Sequence, residues 1–291
     1  MAHERDIDEV TGTATTGHEW DGIRELNTPL PRWWLWTFYI TIIWSVGYWI
    51  AYPAWPLVSS YTVGVLNWHS REAVIADLDA LRVQRGPLAE RLGQASLQEI
   101  VADDNLSQFA RAQGRPAFLE NCAPCHGGGG GGAKGYPNLL DDEWIWGGRL
   151  EDIALSIRDG VRTPESKERQ GNMPAFGRDG MLKRPDIEDV TDYVRSLAGL
   201  EAGKGANLEN GKRVFAETCA SCHGPDGRGR REIGALNLTD AIWLYGSDRA
   251  TIIDGLMNGR GGVMPAWSGR LDESTIKAVT VYVHTLGGGV R

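Results

Sequence analysis

The chain has 291 residues, with 30 Lys+Arg against 38 Asp+Glu and a formal net charge of −8. A hydrophobic share of 42% and a charged share of 23% belong to globular material, which excludes wholesale disorder. The net acidity argues against a protein whose main task is gripping nucleic-acid phosphates. The length predicts about two domains at roughly 100–200 residues each, and four cysteines are too few for a small disulfide-stapled scaffold.

Residues 1–32 read as a polar, acidic tail. From Trp33 to Ser70 the chain carries no Asp, Glu, Lys or Arg, a run of 38 residues bounded by Arg32 and Arg71, and eight of the twelve Trp fall between Trp20 and Trp68. The stretch Trp33–Tyr52 is 20 residues long, and a helix of that length spans about 30 Å, the thickness of a bilayer's hydrocarbon core. Trp33, Trp34 and Trp36 at one end and Trp49, Tyr52 and Trp55 at the other place amphipathic rings where lipid headgroups would lie. Pro53 and Pro56 end or kink the helix. A buried core helix would not explain so long a charge-free run. A cleaved signal peptide would need a small-residue site after the apolar stretch, and none follows. The segment 33–56 is therefore expected to span a membrane once. Leu57–Trp68 is too short for a second span and is expected to be interfacial or buried against a partner. Arg24 and Arg32 before the helix nearly balance Arg71, Arg82 and Arg85 after it, so charge does not set orientation.

Residues 57–104 are expected to form a helical spacer, with Val74, Leu78 and Leu81, then Leu88, Leu92 and Ile100, at helical spacing on either side of Gly86-Pro87. It reads equally as a packed or a solvated helix. Beyond it the sequence repeats. NCAPCHG, NLLDDEWIW, NMPAFG and IEDVTDYVRSL in residues 121–197 recur in order as TCASCHG, NLTDAIWLY, VMPAWSG and STIKAVTVYVHTL in residues 218–286. So long a period indicates duplication of a whole domain, with domains at 105–199 and 205–291 joined by a Gly-rich linker near Gly199–Gly205. Each copy reads as a helix carrying Phe118 or Phe215, the Cys pair, a Gly-rich loop, a short helix, Met-Pro, and a final helix carrying Tyr193 or Tyr282. Strand signals are weak and no Asn-Gly hairpin pattern stands out, so the expected fold is all-α.

Cys122-Ala-Pro-Cys125-His126 and Cys219-Ala-Ser-Cys222-His223 are both C-x-x-C-H, the pattern for covalent attachment of c-type haem. Two thiols three positions apart reach both vinyl groups of a porphyrin, and the adjacent His is aimed at the iron. A sixth ligand must come from further along the chain. Met173 lies 47 residues after His126 and Met264 lies 41 after His223, each followed by Pro-Ala-aromatic. A thioether opposite an imidazole closes the iron and raises its potential. Met181 and Met257 are the competing methionines. A Cys₄ zinc site, a thioredoxin-like pair or two disulfides would leave the His and Met-Pro motifs unexplained. Gly127–Gly132 lacks the Lys-Ser/Thr of a phosphate loop and is expected to be a flexible surface loop. The Pro137 carbonyl is a candidate acceptor for the His126 ring N–H. The second copy has no matching Pro, so His223 needs another acceptor. His3, His18, His69 and His284 read as surface or packing residues. The haem motif implies assembly on the outer side of the bacterial inner membrane, with both haem domains periplasmic and residues 1–32 cytoplasmic.

The combination of HEWDGIRELNTPLPRWW (18–34), a Trp-rich span ending YPAWP (52–56) and two c-haem domains resembles subunit III of cbb3-type cytochrome c oxidases along essentially the whole chain. The resemblance implies a membrane-anchored subunit with two covalently bound haem c. Such a subunit takes electrons from a soluble cytochrome c or the bc1 complex. It passes them to the monohaem c subunit and on to the haem–copper subunit of the proton-pumping oxidase, where O₂ is reduced. It has no catalytic step of its own, and no triad, nucleotide fingerprint or paired-carboxylate site stands out. A dihaem peroxidase-like enzyme would need an open iron. The cytochrome subunit of a periplasmic dehydrogenase would have no need of the 18–56 block. Residues 103–200 carry 12 basic and 16 acidic groups, residues 201–291 carry 11 and 10. An acidic first domain is expected either to steer a basic donor or to be a plain solvated surface.

Overall fold

The computed structural model describes residues 6–289, so the expectation for His3 lies outside the described residues. The chain divides into two units, Met1–Gln84 and Arg85–Arg291.

In the first unit, strands β1 (Thr15–Trp20) and β2 (Ile23–Leu26) pair antiparallel. Asp21 and Gly22 join them with φ of 51° and 84°, the two left-handed residues that a type I′ hairpin requires. Every other element of the described chain is helical, as expected, and this short ribbon is a local addition whose signal was Asp-Gly rather than Asn-Gly. Helix α1 (Arg32–Ala51) follows, within a residue of the expected 33–52, with a mean hydropathy of 1.2 and no buried residue. It is long and apolar enough to cross a membrane. Its few polar side chains bond inward, as a hydrocarbon environment demands: the Thr37, Thr41 and Ser45 hydroxyls donate to the carbonyls of Trp33, Phe38 and Thr41. Leu57–Trp68 makes no second helix. It folds back so that the Val65 and Leu66 amides donate to the carbonyls of Ile50 and Ala51, satisfying acceptors that the end of a helix leaves orphaned. His18 lies 3.6 Å from Glu25, and His69 hydrogen-bonds Tyr61 at 3.2 Å.

Helix α2 (Ser70–Gln94) contains Pro87 without ending there, and carries the boundary between the units. In the second unit, α3 (Leu97–Ala102) starts at a capping box built from Ser96 and Glu99, and α4 (Asp104–Asn121) is capped by the Asp103 carboxylate. Cys122 ends α4, and α5 (Ala123–His126) carries the first motif. Helices α6 (Leu150–Asp159), α7 (Arg184–Leu197) and α8 (Leu208–Val214) follow. After α8 comes one π turn at Phe215–Cys219, then α9 (Ala220–His223), α10 (Arg249–Asn258) and α11 (Glu273–His284). The fully buried Leu92, Ile100 and Leu106 pack with Ala110, Ala278 and Val281, so the end of the spacer is part of the core rather than a solvated helix.

The two halves of this unit are helix-exchanged. The last helix of each sequence copy packs on the first helix of the other: α11 crosses α4, and α7 crosses α8. Two glycines permit these close crossings. A Cβ at Gly114 would sit 2.2 Å from the Ala278 carbonyl oxygen, and one at Gly211 would sit 2.3 Å from that of Asp189. The aromatic pairs follow the exchange, with Phe118 against Tyr282 at 5.3 Å and Phe215 against Tyr193 at 5.5 Å between centroids. Phe118 and Phe215 are 0% and 2% exposed, and burying each contributes roughly 1.5–3 kcal/mol. A buried Asp192 on α7 is bound at 3.1 Å by Arg249 at the start of α10, so opposite halves are also tied by charge.

Candidate cofactor site

Both Cys motifs open the same way. Cys122 and Cys219 are buried at the helix junction, whereas Cys125 and Cys222 are exposed, and none of the four is joined in a disulfide. Burial pushes the Cys122 and Cys219 thiols up to about 11, with the neighbouring cysteine adding to the effect. Among the described residues no three His, Cys, Asp or Glu side chains converge as a metal cluster, so the four thiols do not assemble the tetrad that zinc favours.

The histidines are oriented alike. His126 Nδ1 lies 2.9 Å from the Pro137 carbonyl, and His223 Nδ1 lies 2.9 Å from that of Leu236. A carbonyl only accepts, so Nδ1 carries the proton and Nε2 keeps its lone pair, the form a metal-ligating imidazole needs. Desolvation by burial lowers both imidazole pKa values, opposed in part by those hydrogen bonds, and favours the neutral ring. The Leu236 carbonyl is the acceptor that the second copy lacked in sequence. Backbone supplies the bond, so no Pro is required.

The glycine run after His126 exposes Gly128, Gly129 and Gly131 as the expected surface loop would, but it is a hydrogen-bonded turn. The Gly132 amide donates to the His126 carbonyl at 2.8 Å, and Leu139 donates to Gly130 at 2.7 Å. The second copy repeats this, with Gly229 donating to His223 and Leu238 to Gly227, both at 2.7 Å. Gly127, Gly130 and Gly132 share left-handed φ with Gly224, Gly227 and Gly229. Only three of the six glycines answer a conformational demand.

The methionines are placed against chain order. Order along the chain pairs Met173 with His126 and Met264 with His223. The structure places them crosswise. Met264 packs against the cluster containing Cys122, Phe118 and Ile153, and Met173 against the one containing Cys219, Phe215 and Val190. Short antiparallel bridges hold them there: Met264 exchanges backbone hydrogen bonds with Val161 at the end of α6, and Met173 with Arg260 at the end of α10. Gly160 and Gly259 precede those partners, each with left-handed φ and each pressed against the opposite methionine's backbone. Of the competitors, Met181 is exposed, and Met257 packs behind Gly177.

Both Cys pairs, both histidines and both methionines line one continuous cavity of about 910 Å³. Two pairs of thiols, two neutral imidazoles and two thioethers around an apolar space are the donor set a pair of covalently held haems requires. Trp144 and Trp243 form matching walls, each indole N–H donating to a backbone carbonyl three residues earlier, at 3.0 and 3.1 Å. Glu143 also lines the cavity. Its carboxyl is raised by desolvation and by the nearby Asp240, a grouping that sequence reading did not pick out.

The fold and the site define a c-type cytochrome with two tandem modules. Residues 112–198 match the family model described as cytochrome c, and residues 206–283 that of cbb3-type cytochrome c oxidase subunit III. Residues 12–59 match the N-terminal domain of cytochrome oxidase-cbb3, FixP. The chain is 56% identical over 288 residues to the cbb3-type cytochrome c oxidase subunit FixP of Azorhizobium caulinodans, covering 99% of this chain and 98% of that one. It is 55% identical to FixP of Bradyrhizobium diazoefficiens, covering 99% and 100%, and 48% identical to subunit CcoP of Cereibacter sphaeroides, covering 94% and 95%. The chain belongs to the FixP/CcoP family of cbb3-type cytochrome c oxidase subunits. It is an electron-transfer subunit of an oxidoreductase complex and not the catalytic one.

Proposed function

We propose that the chain is a dihaem electron relay, anchored once in the bacterial inner membrane by residues 33–56. Residues 1–32 are then cytoplasmic, and the modules at 105–199 and 205–291 periplasmic. Cys122 and Cys125 would hold one haem c and Cys219 and Cys222 the other, with His126, His223, Met173 and Met264 as the side chains that would ligate the irons. A covalently bound haem c supplies a one-electron iron couple, whose potential a His–Met pair raises. The chain's own residues do the rest. Nδ1–H bonds to Pro137 and Leu236 fix both imidazoles, the bridges at Val161 and Arg260 fix the backbone of both methionines, and the half-buried Trp144 and Trp243 walls shield the space from water. Electrons enter from a soluble cytochrome c or the bc1 complex and leave through the monohaem subunit toward the haem–copper subunit.

The observation that carries this reading is the single cavity lined by both sets of donors, which brings the two carriers together in one apolar interior. Two measurements test it. The intact mass of the purified chain should exceed its 31.9 kDa polypeptide by two haems, and the reduced protein should take up no CO rapidly. A mass without haem, or rapid CO binding at either iron, contradicts a closed two-centre relay.

A further inference from the structure

Arg162 stands between the two methionine loops. It stands two residues after Gly160, the glycine that ends α6, and its φ of 57° lies in the left-handed region, which a non-glycine residue occupies only when its surroundings hold it there. Its half-buried guanidinium is held on three sides. Nε donates to the Gly171 carbonyl at 2.6 Å, Nη1 donates to the Gly262 carbonyl at 2.7 Å, and the guanidinium carbon lies 5.7 Å from the centre of the Trp146 ring. Gly171 and Gly262 are equivalent points of the duplication. Each stands two residues before a methionine, in Gly-Asn-Met173-Pro-Ala and Gly-Val-Met264-Pro-Ala. One planar fork therefore ties matching carbonyls of both loops, a geometry that guanidinium provides and an ammonium does not.

The duplication does not repeat the device. The position equivalent to Arg162 is Gly261. Arg260, one residue earlier, turns back on its own helix, with Nη2 donating to the Thr251 carbonyl at 3.2 Å and to Asp254 at 2.8 Å. The first copy also carries residues 163–170, which have no counterpart between Gly261 and Gly262. This insertion closes on the same point: the Arg162 amide donates to the Arg169 carbonyl at 2.8 Å, and the Arg169 guanidinium lies over the same Trp146 ring at 5.7 Å.

We infer that Arg162 is a positioning residue shared by both haem sites, bracing the Met173 and Met264 loops at once so that the closure of one iron depends on the closure of the other. The inference rests on the reading of Met173 and Met264 as iron ligands. Its test uses the full-length, haem-loaded chain with Arg162→Gln, Arg162→Lys and, for comparison, Arg260→Gln. The readouts are the far-red charge-transfer band of sulfur-ligated ferric haem and CO uptake by the reduced protein, counted per haem. Losing charge-assisted bonds to both loops should raise the CO-reactive fraction roughly tenfold at each of the two haems in Arg162→Gln. Arg162→Lys, which keeps the charge without the fork, should show a smaller rise, again at both. Arg260→Gln should change one haem at most. If Arg162→Gln fails to load haem, Arg162→Lys decides by the same criterion. A rise confined to one haem, or no rise, overturns the inference while leaving the ligand reading intact. Absence of the sulfur band from the unsubstituted protein overturns the ligand reading itself.

Discussion

Gly114→Ala is the substitution that weighs most directly on the exchanged helices. An added Cβ would lie 2.2 Å from the Ala278 carbonyl oxygen, 2.6 Å from its carbon and 2.9 Å from Tyr282 Cβ. An ordinary carbon–oxygen approach is about 3.3 Å or more. All three atoms are backbone or anchored directly to it, so no side-chain rotation relieves the clash, and α4 and α11 must part by roughly 1 Å. Overpacking of this kind costs about 1–3 kcal/mol. The loss of a mid-helix glycine returns about 0.5–1 kcal/mol. A net loss of about 1–2 kcal/mol lowers the melting temperature of a unit this size by about 2–8 °C. Gly93→Ala, in α2 with nothing within 4 Å, should instead stabilise by about 0.5–1 kcal/mol. Thermal unfolding of the haem-loaded chain, followed through the haem absorbance, separates the two. A Gly114→Ala protein as stable as Gly93→Ala would mean that α4 does not cross α11 at this distance.

Three further outcomes follow from named contacts. Arg249→Ala removes the cation from Asp192, which is 1% exposed at its side chain; stranding a buried charge costs up to about 3 kcal/mol, and denaturant unfolding should show a larger loss than for Arg228→Ala, whose partner Asp226 is exposed. Lys277→Met deletes two 2.7 Å bonds to the carbonyls of Gly93 and Ala95, and hydrogen exchange in residues 88–102 should quicken while α7 stays protected. The Asp272 cap of α11 is held below its ordinary pKa of 3.8 by the Ser274 hydroxyl and then by the Thr275 amide. A depressed carboxylate stabilises fully above its unfolded value and loses that contribution as pH falls through the folded one. Asp272→Asn keeps a cap acceptor without the charge, so the wild type's advantage over it in melting temperature should be complete above about pH 4 and vanish in stronger acid.

What the sequence disclosed and what it hid have physical reasons. Helix α1 was legible to within a residue because length and charge exclusion alone define a membrane-length helix. The Cys-x-x-Cys-His pairs were legible because their chemistry is local. The crosswise placement of Met173 and Met264 was not legible. A duplicated chain carries the same interface twice, so α4 fits α7 or α11 by the same surface pattern. The clue lay in the connection of ten residues between Leu197 and Leu208, short enough to fold α8 directly back on α7. The exchange also means that the charge difference between the sequence halves is not a difference between two bodies, which weakens donor steering by an acidic first domain. The glycine run looked featureless because six identical residues conceal which three must be left-handed. Arg162 gave no sequence signal, since its role appears only once both loops converge on it.

The central claim is that the haem on each Cys pair is closed by the methionine of the other half. It is tested by a protein that keeps one haem, with Cys219→Ala and Cys222→Ala leaving only the group on Cys122 and Cys125. In that background Met264→Ala should make the reduced haem bind CO rapidly, and Met173→Ala should leave it closed. The reverse pattern would return each methionine to the half of the chain in which it is written.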